Sequence, residues 1–111
     1  MTSLNEKLRA VQAAFAALDI PTVRHYYRTD LQPPYLLWAE SGEGESFWSC
    51  NAMSEQVISG DVDYFTRTEF DPSVDAIQEA LFSAARAWRL DSVDYEEGTN
   101  LIHYHWTFEV A

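Results

Sequence analysis

Residues 101–110 read Leu-Ile-His-Tyr-His-Trp-Thr-Phe-Glu-Val, and their alternation decides the fold. Ile102, Tyr104, Trp106, Phe108 and Val110 fall on one side of a period-two repeat; His103, His105, Thr107 and Glu109 fall on the other. Successive side chains of a strand point to opposite faces, so this repeat predicts a strand with one face in a core and one toward water. Just upstream, Arg89 to Glu96 reads as its hairpin partner. The linker Glu97-Gly98-Thr99-Asn100 contains the two residue types that tolerate positive φ, so a short connection is expected there.

Working outward, the run from Ile58 to Thr66 repeats the pattern. Ile58, Gly60, Val62 and Tyr64 share one face, while Ser59, Asp61 and Asp63 make the other face acidic. Glycine inside a strand implies a bulge or a close backbone approach at Gly60. Then Phe70-Asp71-Pro72-Ser73 reads as a helix start, with Asp71 as N-cap, Pro72 at the first helical position where its missing donor is harmless, and Asp75 in the first turn for the dipole. Val74, Ile77, Leu81, Ala84, Ala85 and Trp88 are spaced to carry the buried face of this helix.

The N-terminal segment places Leu4, Leu8, Val11, Phe15 and Leu18 at alternating four- and three-residue steps among alanines, which predicts an amphipathic helix. Ser3 and Glu6 form a capping-box arrangement, and Pro21 predicts an end between about Leu18 and Ile20. Two further strands are expected between Thr22 and Asn51: the run Thr22 to Tyr27 and, after Pro33-Pro34, the run Tyr35 to Ala39. Glu40 to Ser46 has the Gly, Ser and Glu composition of a turn or mobile loop; its glycines lead into no phosphate-binding fingerprint, and three glutamates repel phosphate. The sum is a single α+β domain over residues 1–111: two layers, with a mainly antiparallel sheet of about four to five strands and two helices on one face.

Composition bounds the function. The chain has 111 residues, 47% of them hydrophobic, so it can build a core and intrinsic disorder is not expected. With 18 acidic against 7 basic residues, the net charge of -11 argues against partners that recognise cations, namely nucleic acid and anionic membranes. The single cysteine, Cys50, cannot bridge within the chain, which fits a reducing compartment, and there is no secretory signal or membrane-spanning apolar run. A soluble intracellular protein is the expectation. From Glu55 onward, twelve acidic residues stand against Arg67, Arg86 and Arg89, a field that at the least keeps the protein soluble.

His103 and His105, two apart on a strand, project from one face, and Asp61 and Asp63 share that parity on the other strand. Two readings follow: a small metal-binding module in which the four residues meet, or the ordinary polar face of a half-exposed sheet. No helical His-Glu-x-x-His motif or paired cysteine spacing accompanies them. Ser49 and Cys50 lack a nucleophile-elbow pattern and an electropositive setting, so Cys50 reads as a small hydrophobe. Glu96-Glu97 falls at a hairpin tip. Arg86 and Arg89 flank Trp88, an arrangement that either stacks a guanidinium on an indole or places cations at a helix end.

The run Ile58-Ser59-Gly60-Asp61-Val62-Asp63-Tyr64-Phe65-Thr66, then Phe70-Asp71-Pro72, the helix opening Val74-Asp75-Ala76-Ile77 and the ending Ile102 to Val110 resemble the small tail-completion or tail-terminator proteins of bacteriophages and prophages. In those proteins a strand of the type G-D/T-V/I-D-x-F-T precedes a helix, and a closing hairpin ends in an alternating aromatic strand. The resemblance covers Ile58 to Val110. It implies an α+β protomer that assembles into a ring, a hexamer, at the head-proximal end of the tail. There it stops tube growth and offers a docking surface to neck and head-completion proteins. It implies no enzymatic residue; no cofactor is expected, and the acidity argues against a membrane partner and for DNA passage rather than specific DNA binding.

In this frame Asp61 and Asp63 are candidates to line a negative lumen, and Trp38, Phe47, Trp48 and Trp88 are candidate interface anchors, each equally suited to a core. Ring closure requires two different patches on each copy, and an uncovered sheet edge is one way to supply such a patch. The alternatives from other classes are the metal module on His103 and His105 and an acidic regulator or inhibitor that mimics DNA.

Overall fold

The computed structural model describes residues 3–24, 31–43 and 56–111. The elements run α1 (Leu4–Ala16), β1 (Thr22–Arg24), β2 (Tyr35–Glu43), β3 (Ile58–Thr66), α2 (Pro72–Ala84), β4 (Ala87–Glu96) and β5 (Leu101–Val110). The strands form one sheet in the order β1-β2-β3-β5-β4, antiparallel throughout except for the parallel pair β1–β2. This is the expected α+β domain with both helices on one face of a mainly antiparallel sheet.

Local chemistry sets the helix boundaries. The Ser3 side chain accepts from the Glu6 N–H (3.1 Å), and Asp71 caps α2 by accepting from the Ser73 N–H (2.8 Å), with Pro72 in the first turn. The α1 helix ends at Ala16, somewhat before the reach expected from Pro21. The α2 helix ends at Ala84, so Trp88 belongs to β4 rather than to the helix, and Arg86 and Arg89 do not flank it at a helix terminus.

The core lies between the layers. Leu8, Val11 and Phe15 of α1 and Ile77 and Leu81 of α2 pack on Leu36, Trp38, Ile58, Val62, Tyr64, Trp106, Phe108 and Val110 of the sheet. Full burial of a side chain of this kind contributes about 1.5–3 kcal/mol. The buried indole N–H of Trp106 donates to Gln78 Oε1 (3.2 Å), which ties α2 to β5. Lys7 does the same for α1, its ammonium donating to the Gln56 carbonyl oxygen (2.6 Å) just before β3.

Gly60 is a close approach and also faces a register shift in β2: a Cβ there would stand 2.4 Å from Phe108 Cζ and 2.8 Å from the Ala39 carbonyl oxygen. The expected loop at Glu40 to Ser46 is corrected over its first part, because β2 runs on through Glu43. Its backbone stays laddered to β3, with Glu40 opposite Gly60, Gly42 opposite Ser59 and Glu43 opposite Ile58. The pairing shifts between Glu40 and Gly42, where Gly42 takes a φ of 147° that L side chains rarely adopt. Residues 44–46 lie outside the described residues.

Candidate functional site

Two surfaces carry chemistry: the sheet face turned away from the helices, and the β4 margin on the helix side.

On the open face the β3–β5 register sets Asp61 opposite Thr107 and Asp63 opposite His105. The contacts run diagonally: His103 Nε2 lies 2.7 Å from Asp63 Oδ1, and His105 Nε2 lies 3.0 Å from Asp61 Oδ1. The four residues singled out by parity therefore do meet, as two imidazole–carboxylate pairs side by side. A third carboxylate enters from β4. Asp91 Oδ2 lies 3.8 Å from His105 Nδ1, accepts a hydrogen bond from the Thr107 hydroxyl, and its Oδ1 accepts from Arg89 Nε at 2.6 Å. The Thr107 hydrogen bond above all holds the Asp91 carboxyl below its ordinary range; burial pushes the other way, and the Arg89 guanidinium adds to the lowering. His103 also stacks on Phe65 (centroids 4.3 Å apart), which stacks on Tyr35 (4.8 Å), so an aromatic row crosses three strands beside the pairs.

This ladder is structurally well satisfied and chemically modest. Among the described residues, no group of three His, Cys, Asp or Glu side chains is placed to hold a metal ion. Asp61 and Asp63, the lumen candidates, are on the open face as expected, but their carboxylates face imidazoles rather than standing bare. At the Ile58–Val110 end, an open depression of about 570 Å³ is lined by a mixed set that includes Glu43, Trp88, Arg89, Thr107 and Glu109.

A second polar cluster sits behind the helix start. Tyr64 Oη and Thr66 Oγ1 both donate to Asp71 Oδ2, each at 2.7 Å. Burial first, and then the bond to the Asp71 carboxylate, push the Tyr64 phenol up to about 12. Burial alone would raise the Asp71 carboxyl, but the donors from Thr66, Tyr64 and Ser73 outweigh it and hold it below its ordinary range. The arrangement locks β3 to α2 and needs no substrate to explain it.

The β4 margin is different. Trp88, Leu90, Val93 and Tyr95 stand opposite Phe108, Trp106, Tyr104 and Ile102, hence on the helix side of the sheet. Yet Leu90 is 42%, Val93 49% and Tyr95 61% exposed. Two causes combine: β4 is the outer strand, so Leu90 is exposed although its partner Trp106 is fully buried, and a 13-residue helix spans about 20 Å against about 33 Å for a 10-residue strand. Alpha2 therefore runs out before the hairpin does. Phe82, 78% exposed on α2, lines an open depression of about 420 Å³ together with Asp75, Gln78, Glu79 and Trp88. Among the described residues β4 is one free edge of the sheet and β1 the other.

Of the proposed anchors, Trp38 is buried in the core, tilted against Phe15 and Phe108, with the Arg24 guanidinium 5.0 Å from its ring. Trp88 is half-buried at the β4 margin, and Phe47, Trp48, Ser49 and Cys50 lie outside the described residues. Glu96 and Glu97 are exposed at the hairpin tip as expected. Sequence reading missed Leu90, Val93, Tyr95 and Phe82 as a surface. The alternation of Trp88 and Leu90, then Val93 and Tyr95, marks a buried face, and only the edge position of β4 and the helix length reveal that it is uncovered. No helix among the described residues is long and apolar enough to cross a membrane. Comparison with protein-family models and with curated proteins finds no match.

Proposed function

We propose that this protein is a structural virion component of the tail-completion type, whose copies join into a ring that caps the head-proximal end of a phage tail tube and receives the neck. The observation that carries the reading is the pair of unlike sheet margins. A closed ring needs two different patches per copy. Among the described residues the sheet ends in the short parallel strand β1 on one side and in a ten-residue antiparallel strand with an apolar face on the other. An uncovered apolar strip of this kind is what an association surface requires.

The open face supports the same reading. It bears Asp61, Asp63, Asp91 and Glu109 with Arg89 as its nearby cation, so DNA threading past it would not be gripped through its phosphates. The functional reading also draws on the resemblance of Ile58 to Val110, which here forms one continuous unit of β3, α2 and the closing hairpin. The test is electron microscopy and native mass measurement of the protein alone and with purified tail tubes. Rings on tube ends are expected. Absence of rings alone, with tubes and at high concentration refutes the proposal.

A further inference from the structure

We propose that, away from a tail, the β4 strand pairs antiparallel with β4 of a second copy about a two-fold axis between Asp91 and Ser92. This goes beyond the ring reading, because a two-fold contact cannot be part of a polar head-to-tail ring. It occupies the margin that a ring would use and so holds the free protein back from closing.

Three observations select a second copy as the occupant. The first is side-chain complementarity. About that axis Leu90 faces Val93 of the other copy, Trp88 faces Tyr95, and Arg89 faces Asp94, each match occurring twice by symmetry. Leu90, Val93, Trp88 and Tyr95 all stand on the helix side of the sheet; Arg89 and Asp94, opposite Thr107 and His103, stand on the open side. Apolar residues thus meet apolar ones and opposite charges meet across the same strand pair, whereas like charges directly opposite would be destabilising.

The second is the β-bulge. The β4–β5 register slips between Leu90 and Ser92, with Asp91 as the extra residue. A bulge ordinarily discourages indiscriminate edge pairing. A straight strand laid along β4 must leave that extra residue unopposed. A second copy carries the same extra residue at the same place, so Asp91 and Ser92 match residue for residue and both flanks keep their faces.

The third is shape. The depression lined by Asp75, Gln78, Glu79, Phe82 and Trp88 opens beside Trp88, where this register delivers the Tyr95 ring of the other copy. That ring is among the more exposed large side chains of the molecule.

The experiment is sedimentation of the free protein, without tubes, as Arg89→Asp, Asp94→Arg and the double variant, each checked for folding by circular dichroism. The parent is expected to dimerise below about 0.1 mM, a Kd reachable by a modest interface. Each single charge reversal sets like charges opposite one another twice over and is expected to weaken the dimer about tenfold or more. The double variant restores the opposite pairing and recovers the parent affinity. Should a single reversal fail to fold, Val93→Lys, which puts a charge into the apolar match, must also weaken the dimer. A monomer persisting to several times about 0.1 mM, a dimer indifferent to Arg89→Asp or Val93→Lys, or a double variant no better than the singles overturns the proposal. Rings on tube ends decide the functional reading separately, because they form or fail to form whatever the free protein does.

Discussion

Replacing Gly60 by alanine adds one methyl group, and the structure states what that methyl meets. In β3, Gly60 pairs with Phe108 on one side and Glu40 on the other. An ideal Cβ would lie 2.4 Å from Phe108 Cζ, 2.7 Å from Cε1 and 2.8 Å from the Ala39 carbonyl oxygen. Carbon contacts are optimal at about 3.5–4.0 Å, so the ring must retreat by about an ångström. It has little room, since Phe108 is fully buried and packs against Trp38 with ring centroids 6.5 Å apart. The carbonyl belongs to the β2 backbone and moves only with the strand.

Overpacking of this kind costs about 1–3 kcal/mol, set against at most about 1 kcal/mol gained from the narrower unfolded ensemble of alanine. The expected result is a net loss of about 1–2 kcal/mol, a fall in Tm of roughly 4–10 °C for a chain of this size. Urea titration followed by tryptophan fluorescence measures it, with the m value unchanged if the native fold persists. Phe108→Leu in the same chain should relieve part of the Gly60→Ala penalty, so the two changes will be less than additive, while the Ala39 contact keeps the relief incomplete. A Gly60→Ala variant within about 0.5 kcal/mol of the parent would show that the Phe108 ring does not lie over this position.

Three further outcomes are expected. Asp71→Ala removes the α2 cap and strands the buried Tyr64 and Thr66 hydroxyls, for a loss of about 2–4 kcal/mol in chemical denaturation; a loss below about 1 kcal/mol contradicts the network. Because the folded Asp71 and Asp91 carboxyls are held low, their contribution to stability is fully present above the ordinary carboxyl range near 3.9 and is lost as pH falls through the depressed values. Thermal melts should therefore steepen in their pH dependence below about pH 4, and Asp71→Asn should flatten part of that slope. Phe70 sits at a φ of 56° and is 90% exposed, so Phe70→Asn, a residue suited to that conformation, should raise stability by up to about 1 kcal/mol; a loss instead would mean that the ring makes contacts that matter.

Where the sequence was legible, a short-range rule carried the signal. The strand alternation of β3 and β5 and the Asp71-Pro72 helix start needed only local periodicity and capping chemistry, and the two-layer fold followed from them. The end of β2 was illegible because Glu40 to Glu43 has loop composition; its extension is dictated by β3, far along the chain, which supplies ladder partners. The meeting of His103 with Asp63 and of His105 with Asp61 was legible as parity but not as pairing, since register depends on how the two strands are brought together. Trp88 read as helical because it stands at helical spacing from Leu81 and Ala84, yet the helix stops at Ala84 and the residue opens β4. The β4 surface was hidden for the opposite reason. Its residues obey the burial pattern, and what uncovers them is the place of β4 at the sheet margin together with the shortness of a neighbouring helix.

That mismatch between a short roof and a long floor also grades the molecule along its own axis. Near Val110 the backbone is shut beneath two helices, whereas toward Leu101 the hairpin relies on its rungs and on whatever side chains reach across from neighbouring strands. Deuterium uptake should accordingly climb step by step along β5 from Val110 to Leu101. The outer reach of the hairpin is a paddle blade on a rigid handle, the piece of the molecule that can yield to fit a neighbour while the remainder keeps its form.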